Sequence, residues 1–484
     1  MEIENHMEST SNGMAGLIFL IVLVGTFFVA LLGRRHTGKG EMEQELAGRR
    51  LNKWLVGLSA GATGNSGFVV TGAVGLGYIG GVQWLLLPLS WLLGDLIFWH
   101  FFPDRLNHLA RRARAVTISE LLTFDLKGRS ASLVSVIVAL LLVVFLTTYT
   151  SAQWLAGRKF LSGAFEFTDL TALLFFSITI VAYSALGGFR GSVYADSLQA
   201  IIRLLGTVVA TVAVSLMVAG DFPQFNQNIM EAGPGFLSLF PEGGWALVLG
   251  FIGGYAGAAI GFGLGQPQII SRYFAGSSPE ETKSARWIYI GFLQFTWISM
   301  TLFGVALRGV MPGIGDPETG LSLFFSSNFG ALVVGIIFAD IYATIASTSN
   351  SLLIAISQTV RRDLLRLLPG KEIFSHRYAL FLMPVLVGLV SVVLSFILPG
   401  NVFTIAIGAV SKIGAGVAGP VMIKVMGWKH TGRSLLAATL SGISAAFLWE
   451  YLGYSSTVNE AGVGIVVSLA INRWVAASGA PGGT

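Results

Sequence analysis

The sequence predicts an all-α integral membrane protein of about thirteen transmembrane helices, built on an inverted five-helix repeat whose first helix is discontinuous in each copy. Three observations lead there. Hydrophobic residues fill 54% of the 484 positions and charged ones 11%, against about a quarter in soluble domains, so a water-soluble fold is excluded. The apolar residues fall in runs of about twenty or more, the length an α-helix needs to cross hydrocarbon. Two of those runs are interrupted in mid-membrane by glycine and polar residues, and the interruptions lie five helices apart.

Composition removes several chemistries. There is no cysteine, so disulfides, iron–sulfur clusters and thiolate zinc sites have no ligands. The six histidines (His6, His36, His100, His108, His376, His430) never fall at ligand spacing. The net charge of +5 and pI near 9.4 come from basic residues in short loops, not from one patch, which is the signature of membrane topology and not of nucleic-acid binding.

The predicted spans are 14–33, 52–80, 83–103, 132–156, 168–188, 192–219, 244–273, 287–310, 328–358, 375–398, 402–426, 432–453 and 460–476. Residues 1–484 read as one transporter domain: an extra N-terminal helix (14–33), a first repeat (52–219), a second repeat (244–426) and two C-terminal helices (432–476). The first run follows Glu2, Glu4 and Glu8, lacks a small-residue cleavage site and is long enough to span, so it reads as a retained helix. Span one is followed by Arg34, Arg35, Lys39, Arg49 and Arg50; span three by Arg105, Arg111, Arg112, Arg114, Lys127 and Arg129; span nine by Arg361, Arg362, Arg366 and Lys371. The alternate loops carry little: Arg158 and Lys159 after span four, Arg308 after span eight, and no basic residue between 220 and 243. That alternation puts the N-terminus outside and the C-terminus in the cytoplasm of a plasma-membrane protein.

Span two breaks at Ser59-Ala60-Gly61-Ala62-Thr63-Gly64-Asn65-Ser66-Gly67 and span seven at Gly261-Phe262-Gly263-Leu264-Gly265-Gln266-Pro267. Unpaired backbone groups are costly in hydrocarbon unless they line a cavity or bind something, so paired breaks mark a substrate and ion site at the repeat interface. Plain close packing of small residues could explain either segment alone, but it explains both in register much less well. In span nine, Thr344, Ser347 and Thr348 share one helical face within the polar run Thr344–Ser351. Hydroxyl and carbonyl oxygens without a carboxylate are hard ligands for a weakly held monovalent cation; hydroxyls bonded back to their own helix are the alternative, and for so dense a cluster ion binding is the better reading.

Ionisable residues within spans are Asp95, Asp196, Arg203, Asp340 and Lys412. Asp196 precedes Arg203 by two turns, which suggests a pair between them; Asp95, beside Trp99 and His100, reads as a helix-end polar group.

These residues carry a resemblance over nearly the whole chain to the sodium:solute symporter family, in its bacterial sodium/proline symporter-like branch. It rests on Leu46-Ala47-Gly48-Arg49-Arg50-Leu51 with Gly57-Leu58-Ser59-Ala60, on Ser66-Gly67, and on Tyr149 with Ala156-Gly157. It rests further on Gly187-Gly188-Phe189 with Asp196 and Gln199, on Gly265-Gln266-Pro267 with Arg272, on Ser347-Thr348 and on Gly419-Pro420. The resemblance implies a coupling sodium held by the carbonyls of Ala62, Asn65 and Thr344 and the hydroxyls of Ser347 and Thr348, with Asp196 and Ser351 as counterparts of a second sodium site in some relatives. It implies a substrate near Thr63, Ser66, Tyr149, Phe262, Gly263, Gln266 and Lys412. Departures concern the substrate: Gly64 replaces a carboxylate of proline-transporting relatives, Ala259 and Gly263 replace bulky aromatics, and Asp340 and Lys412 stand at positions usually small. Lys412 either binds a substrate carboxylate or neutralises Asp340.

The function implied is sodium-coupled import of a small organic solute, proline as first guess, by alternating access, with sodium, the solute and the bilayer as partners. A proton-coupled transporter of the same fold, with Asp340 or Asp196 titrating, is the nearest alternative; a channel or sensor lacks a filter repeat or a signalling domain. No paired nucleophile and base suggests an enzyme.

Overall fold

A computed structural model describes residues 2–34, 40–365, 376–398 and 401–478. Arg35, Lys39, Arg366 and Lys371 of the predicted basic loops lie outside the described residues. The helices used below are α1 (Glu2–Arg34), α2 (Lys53–Gly64), α3 (Gly67–Val70), α4 (Gly72–Gly80), α5 (Leu86–Phe101), α6 (Gly128–Phe165), α7 (Asp169–Gly220) and α8 (Trp245–Gly265). They continue as α9 (Pro267–Ala275), α10 (Arg286–Val310), α11 (Ala331–Thr359), α12 (His376–Ile397), α13 (Val402–Ile413), α14 (Gly419–Val425), α15 (Gly432–Tyr451) and α16 (Glu460–Ser478).

Helix starts follow local side-chain chemistry. Asn52, Thr168 and Asn401 cap α2, α7 and α13 by accepting the amides of Leu55, Thr171 and Thr404, donors that would otherwise lack partners. Nine helical stretches among the described residues are long and apolar enough to cross a membrane. The count is below the predicted thirteen partly because the 52-residue α7 covers two predicted spans. Gly188, at φ +61°, bends it between them, a backbone conformation that glycine adopts at little cost.

Packing sets the layers. α1 lies against α7 and α11, α8 runs along α5, α10 along α4, and α15 pairs with α16. The α4–α10 contact is backbone on backbone: a Cβ at Gly77 would fall 2.2 Å from the Thr301 carbonyl, and one at Gly304 2.1 Å from that of Val74. Small residues permit this approach, and in lipid dispersion and close packing replace the hydrophobic drive between helices. α11 is buried along most of its length. Leu17, Ile21 and Phe28 of α1 and Ile178 and Leu216 of α7 project outward, where acyl chains cover them.

Candidate functional site

The first break separates α2 from α3. Asn65 (φ −88°, ψ 72°) and Ser66 (ψ 179°) leave helical geometry, and Ser66 caps α3 through the Phe68 amide. The interruption frees carbonyls that α11 meets. Ser347 Oγ lies 3.0 Å from the Ala62 carbonyl and 3.0 Å from that of Thr344, and Thr348 Oγ1 lies 2.9 Å from the Thr63 carbonyl. Three neutral carbonyls and two hydroxyls thus gather with no carboxylate among these contacts, a donor set suited to a monovalent cation that must later leave.

Beside this cluster is a cavity of about 40 Å³, space for a few waters in the conformation described. Gly64, Ser66, Tyr149 and Phe262 line it, with Trp91, Trp297 and Phe403 closing the aromatic side. The Tyr149 phenol lies beside the Ser66 side chain. Among the described residues, its walls hold no charged side chain.

The second break lies between α8 and α9 at Gln266, which is extended (φ −91°, ψ 107°) ahead of Pro267. Gln268 Nε2 donates to Gln266 Oε1 at 3.0 Å, and Gln266 Nε2 reaches the Val410 carbonyl at 3.4 Å. Two breaks, each opening the first helix of a repeat, are the architecture of inverted-repeat transporters.

The description of one protein-family model, sodium:solute symporter family, matches this chain over residues 45–469. The chain belongs to the sodium:solute symporter family. Sodium-coupled solute symport is the activity of this protein, and sodium its coupling ion. Similar proteins include the osmoregulated proline transporter OpuE of Bacillus subtilis, 27% identical over 479 residues, with 93% of each chain covered. Sodium/proline symporter 2 of Staphylococcus saprophyticus is 26% identical over 460 residues, covering 92% of this chain and 88% of that one. Among solved structures, a substrate-bound, outward-open sodium-coupled sialic acid symporter superposes with a TM-score of 0.81 at 18% identity, covering 97% of this chain and 98% of that one. MhsT in complex with L-phenylalanine gives a TM-score of 0.55 at 18% identity, covering 87% and 98%. At these identities the structures establish the fold alone.

The symporter distributes its buried charges differently from the sequence expectation. Asp196 pairs with Arg272 of α9 at 2.9 Å, not with Arg203. Arg203 instead holds Asp340 at 2.6 Å, so Asp340 is not the partner of Lys412. Lys412 sits 2.8 Å from Glu460 and 3.0 Å from Glu450, tying α13 to α15 and α16. Helix periodicity gives the spacing of Asp196 and Arg203 along α7, whereas pairing depends on which neighbouring helix each faces. Arg272 also donates to Ser59, Ser192 and Ser351 at 2.6–3.1 Å, joining α9 to α2, α7 and α11.

Of the residues expected at the substrate, Ser66, Tyr149 and Phe262 line the symporter's cavity. Thr63 faces α7 and α11 instead, with its hydroxyl 3.4 Å from Asp196 and 3.0 Å from the hydroxyl of Ser351. Gly263 faces Phe98, whose ring lies 2.6 Å from where a Cβ would stand. Gln266 is fully buried at the second break and Lys412 is at Glu460, so neither is part of the cavity lining. The Asn65 side-chain amide donates to Thr296 Oγ1. Sequence reasoning missed Trp91, Trp297 and Phe403. The spacing of Phe403, Ala406, Ile407 and Val410, all on the lining, is the signal that was available: one i, i+3, i+4, i+7 face of α13.

Proposed function

We propose that this symporter carries proline or another small amino acid with an apolar side chain inward, with one sodium per cycle, across the plasma membrane, its N-terminus outside and its C-terminus in the cytoplasm. The observation that carries the reading is the cavity itself: aromatic walls without a charged side chain, set against the first break. Such a wall suits an apolar side chain, while the backbone groups and hydroxyls at Asn65 and Ser66 suit the solute's charged ends. The names of the relatives OpuE and sodium/proline symporter 2 support proline as the first solute to try.

In this reading sodium is held at Ala62, Thr63, Thr344, Ser347 and Thr348, with Asn65 contributing only its carbonyl. The gathering of the Ala62, Thr63 and Thr344 carbonyls with the Ser347 and Thr348 hydroxyls at hydrogen-bond distance supports it, while Asn65 enters on the family resemblance alone. A second sodium at Asp196 and Ser351 would have to displace Arg272, which already neutralises Asp196 and donates to Ser351 at 2.6 Å. One sodium follows. Its entry is driven electrically as well as chemically, at roughly 2.3 kcal/mol per charge per 100 mV. Proton coupling through Asp340 or Asp196 is disfavoured by the arginine each one holds.

Uptake into proteoliposomes tests this. Labelled proline should accumulate under an inward sodium gradient, stop when choline replaces sodium, and be competed by small apolar amino acids and not by sugars or dicarboxylates. Uptake independent of sodium would overturn the ion assignment, and competition only by sugars or dicarboxylates the solute class.

A further inference from the structure

Asp95 differs from three other buried acids of this protein. Asp196, Asp340 and Glu460 each hold a cationic side chain at 2.6–2.9 Å. Asp95 is 2% exposed in the middle of α5, and among the described residues it forms no ion pair and its Oδ2 has no hydrogen-bond partner. It is not the helix-end group the sequence suggested, since α5 runs on to Phe101. An ionised carboxylate buried alone is expensive, so the un-ionised acid is the form this site accommodates.

Among the described residues, no neighbouring element brings it a cation. Across from Asp95 stand the phenols of Tyr273 on α9 and Tyr289 on α10, both within electrostatic range, and the Tyr273 hydroxyl has no partner. Trp99, one turn on, meets Tyr273 edge to face with ring centroids 5.2 Å apart and lies tilted against Tyr289 at 5.1 Å, and its indole N–H also has no partner among the described residues. α8 packs on α5 through Ala256 and Ala259 at Gly94; its own titratable side chain, Tyr255, turns to Asn459 and Glu460. Arg272 of α9 is engaged by Asp196, and Arg286 of α10 lies over the Trp287 ring. In the helix Pro103–Ala113 that follows, Asp104 holds Lys283 and Arg111 donates to the carbonyls of Gly276 and Ser277. His100 stands at the exposed end of α5 itself.

This acid is one turn from the transport cavity. Trp91, four residues earlier on the same face of α5, forms part of the cavity wall. The Tyr289 hydroxyl approaches to 3.6 Å of where a side chain at Gly64 would begin, beside the first break. We propose that Asp95 is a proton-carrying site of the transport cycle. It takes a proton from water on the side of higher proton activity, keeps it while the surrounding helices are closed, and returns it to water on the other side once the cavity opens there. One O–H bond forms and the same bond breaks, so a proton travels with the sodium and the solute. This rests on the symport reading above.

The test uses the full-length protein in proteoliposomes under a sodium gradient, with the membrane potential clamped, proline outside and a trapped pH dye inside. The parent should acidify the lumen on addition of proline, and Asp95→Asn should lose that signal while keeping sodium-dependent proline uptake. No acidification by the parent, or equal acidification by Asp95→Asn, overturns the proposal. If the parent carries no proline, the solute assignment fails and the acid is judged separately by infrared difference spectroscopy of sodium-free against sodium-loaded protein. A carboxylic-acid carbonyl band that changes on sodium exchange and is missing in both Asp95→Asn and Asp95→Ser supports the site. The absence of such a band from the parent, or its survival in both variants, overturns it.

Discussion

At the break between α2 and α3, the freed carbonyls of Ala62 and Thr63 meet hydroxyls projecting from α11. At the break between α8 and α9, Gln266 is satisfied by Gln268 and Val410, and the flanking glycines press on the end of α13 and the residue after it: a Cβ on Gly265 would lie 3.3 Å from Ile413, and one on Gly261 3.1 Å from the Gly414 backbone. The two breaks share a place in their repeats, yet only the first opens onto an array of oxygens. What a broken helix can bind is therefore set by the helix opposite it, polar in one repeat and apolar in the other. Arg272 connects the two regions, because it starts from α9 behind the second break and reaches Ser59 on α2 ahead of the first.

The largest expected effect comes from cutting that connection. Arg272→Met leaves Asp196 buried without a cation and should cost about 3–5 kcal/mol of stability, with much of the loss regained by adding Asp196→Asn. A melting temperature of the single variant equal to that of the parent would remove the tie between the breaks. Next comes Gly263→Leu. Because Gly263 faces Phe98 and not the cavity, the change should overpack α5 against α8 at about 1–3 kcal/mol, while the folded protein keeps its solute affinity. A changed KM at unchanged melting temperature would return Gly263 to the substrate wall.

The division of labour itself is tested by comparing Ser347→Ala with Gln266→Ala. The first should raise the sodium concentration for half-maximal uptake about tenfold, equivalent to about 1.4 kcal/mol, and the second should leave it near the parental value. Equal shifts would mean that both breaks hold the ion. The smallest effect is expected for Gly64→Ala, whose Cβ would stand in ordinary contact 3.5 Å from the Phe262 ring. Stability should change by less than about 0.5 kcal/mol, and only solute affinity, read by competition, should move.

Much of this protein was legible in its sequence. The apolar runs, the two glycine-rich interruptions and the polar stripe of α11 are local patterns, and each acts through the backbone of its own segment: a run long enough to span, a break that frees carbonyls, hydroxyls that share a face. The family resemblance fell on the same residues. What local pattern leaves open is azimuth. Whether Asp196 meets Arg203 or Arg272, whether Lys412 meets Asp340 or Glu460, and whether Gly263 looks into the cavity or at Phe98 depend on how neighbouring helices are rotated and which ones are neighbours. Trp91 and Trp297 belong to helices of ordinary hydropathy, and only their convergence from α5 and α10 makes a wall. Asp95 shows the same limit from the other side: its burial could be read from its span, but its lack of a cation could not, because an ion pair is a property of two helices and a sequence describes them one at a time.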